Sequence, residues 1–314
     1  MKQFFWLLQS DLALATAEVL ALANPSQATR FGDILLIDAD EKPYHERLAM
    51  SRSCHEFLFA CHVTELEGKM DAFPWQKYYK TNFKLDVHAP IPPQKLAGII
   101  WRNLKNPKVN LEKPVTRFEL FFNGTFVIAG KRLATIDPKP FFERRPHLRP
   151  AMHPSGMQPR LARALVNLTG AWKGTITDPF CGAGGILIEV AHSGLNAVGY
   201  DILPEMVEMA QENFAKYKLK AKLSVADATK LTKSMDYVVT DFPYGRNTKK
   251  QDLNKLYLAF LMKLKKLLQK RAVIVFPHFV NHLTLIRKSK LTIVGEFTNY
   301  VHGTLTRKIV VVEK

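Results

Sequence analysis

The sequence predicts an α/β protein, with a doubly wound, mostly parallel sheet and an antiparallel closing strand, preceded by a smaller α+β region. Three observations carry that prediction. From about residue 151, strand-like runs alternate with helical ones, as β–α–β units do. Four of those strand runs end in or just before an aspartate, and the first leads into the glycine-rich turn Cys181-Gly182-Ala183-Gly184-Gly185. The first 140 residues lack this alternation and read instead as short strands, helices and a hairpin.

The elements follow in order. The chain has 314 residues, of which 47% are apolar, enough for two or three domains with cores of their own. Residues 3–8 read as a strand, 12–23 as a helix and about 33–38 as a strand. The stretch from Leu48 to His62 is apolar but fits neither the strand nor the helix period. A second unit opens near Asn82. FKLDVHA is a strand, KLAGIIWRNL an amphipathic helix, and FELFFNGTFVIAGKRL a hairpin turning at Asn123-Gly124. Residues 137–150, DPKPFFERRPHLRP, hold four prolines and predict an extended linker.

Beyond the linker, Leu161 to Leu168 is helical, TITDPF a strand entering a turn, and GILIEVAHSG a helix. NAVGYD is the next strand and PEMVEMAQENFAKY a helix; KLSVADA and DYVVTD are two further strands. Leu253, Leu256, Tyr257, Phe260, Leu261 and Leu264 fall on one helical stripe. AVIVFP is another strand, and TIVGEFTNY with TRKIVVVEK forms a closing pair.

Charge points to a polyanionic partner. The formal net charge is +17, and between Lys84 and Lys173 sixteen Lys and Arg face five Asp and Glu, a net of +11. Lys131, Arg132, Arg144, Arg145 and Arg149 lie in that stretch, interleaved with aromatic residues, and are the candidates for phosphate contact. The three cysteines, Cys54, Cys61 and Cys181, show neither metal-ligand spacing nor a disulfide framework, which fits the reducing cytoplasm. The apolar run after Met1-Lys2 is five residues long, and no run approaches the ~20 needed to span a bilayer.

In a doubly wound sheet, ligands sit at the carboxyl ends of the central strands. Asp178 precedes the glycine turn, Asp201 ends VGYD, and Asp227 lies in VADA. A dinucleotide would press its pyrophosphate against Asp178, whereas a sulfonium and an α-ammonium are stabilised by it, so the acid favours S-adenosylmethionine. Asp201 can accept from both ribose hydroxyls and Asp227 from the adenine amine. The next strand ends in Asp241-Phe242-Pro243-Tyr244. Exocyclic amines of nucleobases are poor nucleophiles because the lone pair is delocalised into the ring. A carboxylate at Asp241 and the Phe242 carbonyl, each accepting one N–H, would localise it. Pro243 fixes the turn, Tyr244 offers a flat face to a base, and Asp241 can take the proton. No metal is required.

The quartet resembles the (Asp/Asn)-Pro-Pro-(Tyr/Phe) motif of amino-group methyltransferases. HPSGMQPRLARALVNLTG (153–170) followed by DPFCGAGGILIE resembles the archaeal-type tRNA (guanine(10)-N2)-methyltransferases of the THUMP-domain group. The resemblance covers residues 82–314 well and the first 70 more loosely. It implies a ferredoxin-like domain over 1–72, a THUMP RNA-binding domain over 73–140, a linker over 141–152 and a Rossmann-like methyltransferase domain over 153–314. It also implies Asp241 as catalytic acid, and a donor site formed by Asp178, Phe180, Gly182, Gly184, Asp201, Ile202, Asp227 and Ala228. Over the methionine end of the donor closes the 153–159 segment, including His153, Pro154, Gln158 and Pro159. Arg307, in the closing stretch VHGTLTRKI, is a structural or RNA contact. This sequence departs from the motif at Phe242, where the family carries proline.

What the resemblance implies is methylation of the N2 amine of guanine 10 in tRNA, to the mono- and dimethyl products. The THUMP region would hold the acceptor end while the guanine is flipped into the pocket. A small zinc-binding activator subunit remains open as a second partner. Guanine 6 of tRNA, a DNA base, a protein glutamine and a catalytically silent RNA-binding role are the alternatives.

Overall fold

The computed structural model describes residues 2–153, 156–245, 250–302 and 305–314. The chain divides into two compact units. The first comprises residues 1–10, 25–45 and 51–136; the second comprises 11–24, 46–50 and 137–314.

The first unit is built on a seven-stranded sheet in the order β2-β3-β1-β4-β7-β6-β5. Its strands are β1 (Lys2–Leu7), β2 (Gln27–Phe31), β3 (Ile34–Asp38), β4 (Ser51–His62), β5 (Phe83–His88), β6 (Thr116–Asn123) and β7 (Phe126–Thr135). Neighbours pair antiparallel except β5 and β6. At the centre lies β4, the stretch that shows no clear period in the sequence. Its register against β7 shifts at Cys54/His55 and again at Phe57/Phe59, and each shift breaks the in–out alternation of a regular strand. The expected boundary at 72/73 therefore falls inside one continuous sheet, because β4 pairs with β7 across it. The β6–β7 hairpin turns at Gly124-Thr125, one residue later than expected, since Asn123 still pairs with Phe126. Gly124 takes the positive φ of 60° that the two-residue loop requires.

Helix α1 (Leu12–Ala23) belongs to the second unit. Asp11 caps it by accepting from Leu14 N at 3.0 Å, and Asn24 ends it at φ 44°. Helices α2 (Leu66–Ala72) and α3 (Pro93–Arg102) cover the first sheet. The segment expected as a linker holds α4 (Lys139–Glu143) and a turn of 3₁₀ helix at Pro146–Leu148. Its prolines are tolerated because those at 140 and 146 stand in first turns, where no intrahelical N–H is needed.

The second sheet runs β10-β9-β8-β11-β12-β14-β13. The strands are β8 (Thr175–Asp178), β9 (Asn196–Asp201), β10 (Lys222–Val225), β11 (Met235–Asp241), β12 (Leu268–Pro277), β13 (Thr292–His302) and β14 (Leu305–Glu313). The first five pair parallel; β14 is antiparallel to both β12 and β13. The helices are α5 (Pro159–Leu168), α6 (Gly185–His192), α7 (Pro204–Lys216), α8 (Lys250–Leu267) and α9 (His282–Ser289). Ala272 to Phe276 in β12 are all fully buried, as expected of a strand covered on both faces. The stripe on α8 packs there: Leu253, Tyr257, Phe260, Leu261 and Leu264 join Phe242, Ile274 and Phe276 in one cluster. Among the described residues no helix is long and apolar enough to cross a membrane.

Candidate active site

Strand order reverses between β8 and β11, and the carboxyl ends of the strands flanking such a point form a crevice. Here the crevice is a cavity of about 620 Å³. The ends of β8, β9 and β11 supply Asp178, Asp201 and Asp241 to its wall, and Asp227 lies just beyond β10.

Asp201 organises the glycine turn. Its Oδ2 accepts from Gly182 N at 2.8 Å and its Oδ1 from Leu203 N at 3.1 Å. Gly182 has φ 49° and lines the cavity, with no atom within 4 Å of where a Cβ would stand. Gly184 does not reach the cavity. It caps α6 at φ 81°, and a Cβ there would meet Ala210 and Phe214 of α7, so its smallness serves helix packing. Asp227 accepts from the Thr229 amide at 2.9 Å and its hydroxyl at 2.7 Å; the hydroxyl bond leads in holding the carboxyl below its ordinary range.

Asp178 is buried, and that burial pushes its pKa up to about 7. Its Oδ1 accepts from Thr240 Oγ1 at 2.7 Å and from Phe180 N at 3.1 Å. Burial likewise raises Asp241 to about 6, against the opposing pull of Arg307 and a bond from Tyr244. Tyr244 donates to Asp241 Oδ1 at 2.9 Å. Arg307 Nε lies 3.3 Å from the Tyr244 hydroxyl and 3.6 Å from Asp241 Oδ2.

The side chain of Phe242 points away from the cavity chemistry into the core. It is fully buried, stacked on Tyr257 with ring centroids 4.5 Å apart, and meets Phe180, Phe260 and Phe276 edge-on. Its amide donates to Val275 O at 3.0 Å, a bond that the family's proline cannot make. The Tyr257 hydroxyl donates to the Pro243 carbonyl. Loop rigidity here comes from aromatic packing and two hydrogen bonds in place of a second proline.

Of the residues expected over the methionine end, His153 lines the cavity and Pro154 lies outside the described residues. Gln158 and Pro159 are not in the wall: they cap and open α5, and Gly156 and Met157 take their place. Phe180, Ile202 and Ala228 line the cavity as expected.

The expected phosphate-contacting cations are mostly engaged elsewhere. Lys131 pairs with Glu56 at 2.6 Å, and Arg132 pairs with Glu119, a buried acid that also holds His55. Arg144 and Arg149 are buried, 7% and 6% exposed, and Arg144 makes a two-pronged pair with Glu189. A buried carboxylate needs such partners, so it draws in cations that sequence alone places on a surface. Arg145 is the exposed one of the five, resting on the Phe142 ring at 4.5 Å.

Comparison with known proteins shows the family. The family model described as RMKL-like, methyltransferase domain, matches residues 146–308. The chain is 33% identical over 284 residues to a tRNA (guanine(10)-N2)-dimethyltransferase of Methanothermobacter thermautotrophicus, covering 86% of this chain and 84% of that one. It is 32% identical over 321 residues to the Pyrococcus abyssi protein of the same name, covering 96% of each. The chain belongs to the tRNA (guanine(10)-N2)-dimethyltransferase family. The crystal structure of TrmN from Thermus thermophilus, 19% identical and matched over the whole of both chains with a TM-score of 0.52, shares the fold.

Within this tRNA (guanine(10)-N2)-dimethyltransferase family member, sequence reasoning missed Thr240 and Tyr257. Each had a faint signal: Thr240 precedes the strand-end acid, and Tyr257 is the one hydroxyl on the apolar stripe of α8. Both hold the site through single bonds, to Asp178 and to Pro243.

Proposed function

We propose that this protein transfers methyl groups from S-adenosylmethionine to the exocyclic N2 amine of guanine 10 in tRNA, giving N2-methyl- and then N2,N2-dimethylguanosine. The observation that carries the reading is the placement of a largely buried carboxylate, Asp241, in the wall of a cavity that the glycine turn also lines. A cavity of about 620 Å³, lined by Gly182, Gly185 and three strand-end acids, fits a nucleoside that bears a cationic amino-acid tail. The family resemblance supplies the choice of guanine 10.

S-adenosylmethionine supplies the electrophilic methyl group when bound. In this reading Asp201 takes the ribose hydroxyls, Asp227 the adenine amine and Asp178 the positive charge of the tail. Asp241 accepts one N–H of the guanine amine and the Phe242 carbonyl the other, which localises the nitrogen lone pair. Asp241 then takes the proton. A carboxylate offers about four acceptor positions, so the bond from Tyr244 leaves room for the amine. Tyr244 also offers the face on which the flipped base stacks.

The first unit, THUMP-type over 73–140 in this reading, holds the tRNA. Lys77, Lys80, Lys105, Lys108 and Lys113 are exposed along two adjoining segments. Tyr79 ties those segments together: its hydroxyl donates to Thr81 O and accepts from Lys108 N. These lysines support a phosphate-contacting edge better than the buried arginines do.

The test is incubation of the protein alone with unmodified tRNA and labelled donor, followed by mass-spectrometric mapping. Both methylated guanosines at position 10 support the reading; methyl at another nucleotide contradicts it. Transfer without any added subunit decides whether an activator is required.

A further inference from the structure

Arg149 has no acid of its own. Three guanidiniums, those of Arg144, Arg149 and Arg163, gather around α5 and α6, and one buried carboxylate, Glu189, serves them. Glu189 pairs with Arg144 at 2.7 Å and with Arg163 at 3.0 Å. Arg149 Nε donates to the Arg144 carbonyl at 3.1 Å, while Nη2 is buried without a hydrogen-bond partner among the described residues. The Tyr217 hydroxyl lies beside Arg149 as a weak, off-geometry hydrogen-bonding neighbour, and Glu189 acts on its charge through space.

The remaining nitrogen, Nη1, lies against Gly185, the first residue of α6: a Cβ there would stand 2.9 Å from it. Arg149 is also part of the cavity wall. Burying a cation without a counter-ion is strongly unfavourable unless something else supplies the negative charge. The helix start adds unpaired amide N–H groups and a positive dipole end at the same place. The cavity is thus polarised, with Asp178, Asp201 and Asp241 at the strand ends and a single buried guanidinium at the α6 end.

We propose that Arg149, together with the first turn of α6, binds the α-carboxylate of the methyl donor, the one anionic group in that molecule. The proposal rests on the S-adenosylmethionine reading above and adds a residue to it. Arg149 becomes the specificity element that tells an intact amino-acid tail from one lacking its carboxylate. Guanidinium and carboxylate match in planar, two-pronged geometry, which an ammonium does not reproduce.

Calorimetry with S-adenosylmethionine and its decarboxylated form separates the readings, because the two ligands differ in that one group. Wild-type protein should bind the decarboxylated form about tenfold or more weakly, the scale of a charged hydrogen bond. Arg149→Met should lose a similar factor for S-adenosylmethionine and bind both ligands within about twofold of each other. If thermal melting shows that Arg149→Met does not fold, Arg149→Lys carries the test, and the discrimination ratio should fall severalfold. A ratio unchanged from wild type in whichever variant folds overturns the role of Arg149. Failure of either ligand to bind wild-type protein instead overturns the donor assignment itself.

Discussion

The hydroxyl of Tyr244 donates to Asp241 Oδ1 at 2.9 Å, so in the free protein the proposed catalytic carboxylate is held by the aromatic residue that ends its own motif. That bond lowers the carboxyl's affinity for a proton, while burial raises it. Tyr244→Phe keeps the stacking face and removes the donor. It should cost about tenfold or less in transfer and move the pH–rate profile to higher pH. Tyr244→Ala also removes the face and should cost about 10–100-fold. Single-turnover rates across pH distinguish the two; a Phe variant with an unmoved profile contradicts the assigned bond.

Burial pushes the Asp241 carboxyl up to about 6. Transfer requires its ionised form, so the rate should rise about tenfold per pH unit below 6 and level off above. A flat profile between pH 5 and 8, with tRNA binding intact, would count against this carboxylate as proton acceptor.

Asp178, at about 7, and Asp241, at about 6, both sit above the ordinary carboxyl value of 3.8. Between 3.8 and those values the folded protein binds more protons than the unfolded chain. Their contribution to stability is therefore full below that window and is lost as pH rises through it. Asp178→Asn keeps an acceptor for Thr240 and Phe180 but cannot ionise. It should raise the melting temperature of the free protein at pH 8, flatten its pH dependence, and weaken donor binding. Thermal scans at pH 5 and pH 8, with and without donor, check all three.

Phe242 is fully buried among Tyr257, Phe180, Phe260 and Phe276. Phe242→Ala should destabilise the second unit by ~3–5 kcal/mol, and Phe242→Leu by much less. Denaturant unfolding measures this. A loss under 1 kcal/mol would mean that the motif's rigidity has another source.

Exposed Lys105 and Lys108 form part of the proposed tRNA edge. Replacing both by Ala should weaken tRNA uniformly and flatten the log K against log salt slope by about one to two, leaving donor affinity unchanged. An unaltered slope would place the phosphate contacts elsewhere.

Most of the second unit was legible because its central strands β8, β11 and β12 are largely buried and because marked residues end several strands: Asp178, Asp201 and Asp241 close β8, β9 and β11 as read. The opaque parts have physical causes. Two register shifts hide the period of β4. Strand β2 is exposed along nearly its whole length and carries no apolar pattern. Helix α1 leaves its neighbours in sequence for the second unit because Glu18, buried on it, accepts from Asn167 Nδ2 and from the amides of Ala49 and Met50. No local pattern announces such a partner 149 residues away. Arg144 and Arg149 read as surface cations because the carboxylate that buries the first, Glu189, is 45 residues distant from it.

In the proposed reaction Asp241 serves the chemistry and not the binding. Single-turnover methyl transfer by Asp241→Ala, with tRNA and donor affinities measured on the same preparation, tests it most directly. The predicted result is a rate loss of ~10²-fold or more with both affinities within a few-fold of wild type. Near-normal turnover in that variant would remove Asp241 from the reaction.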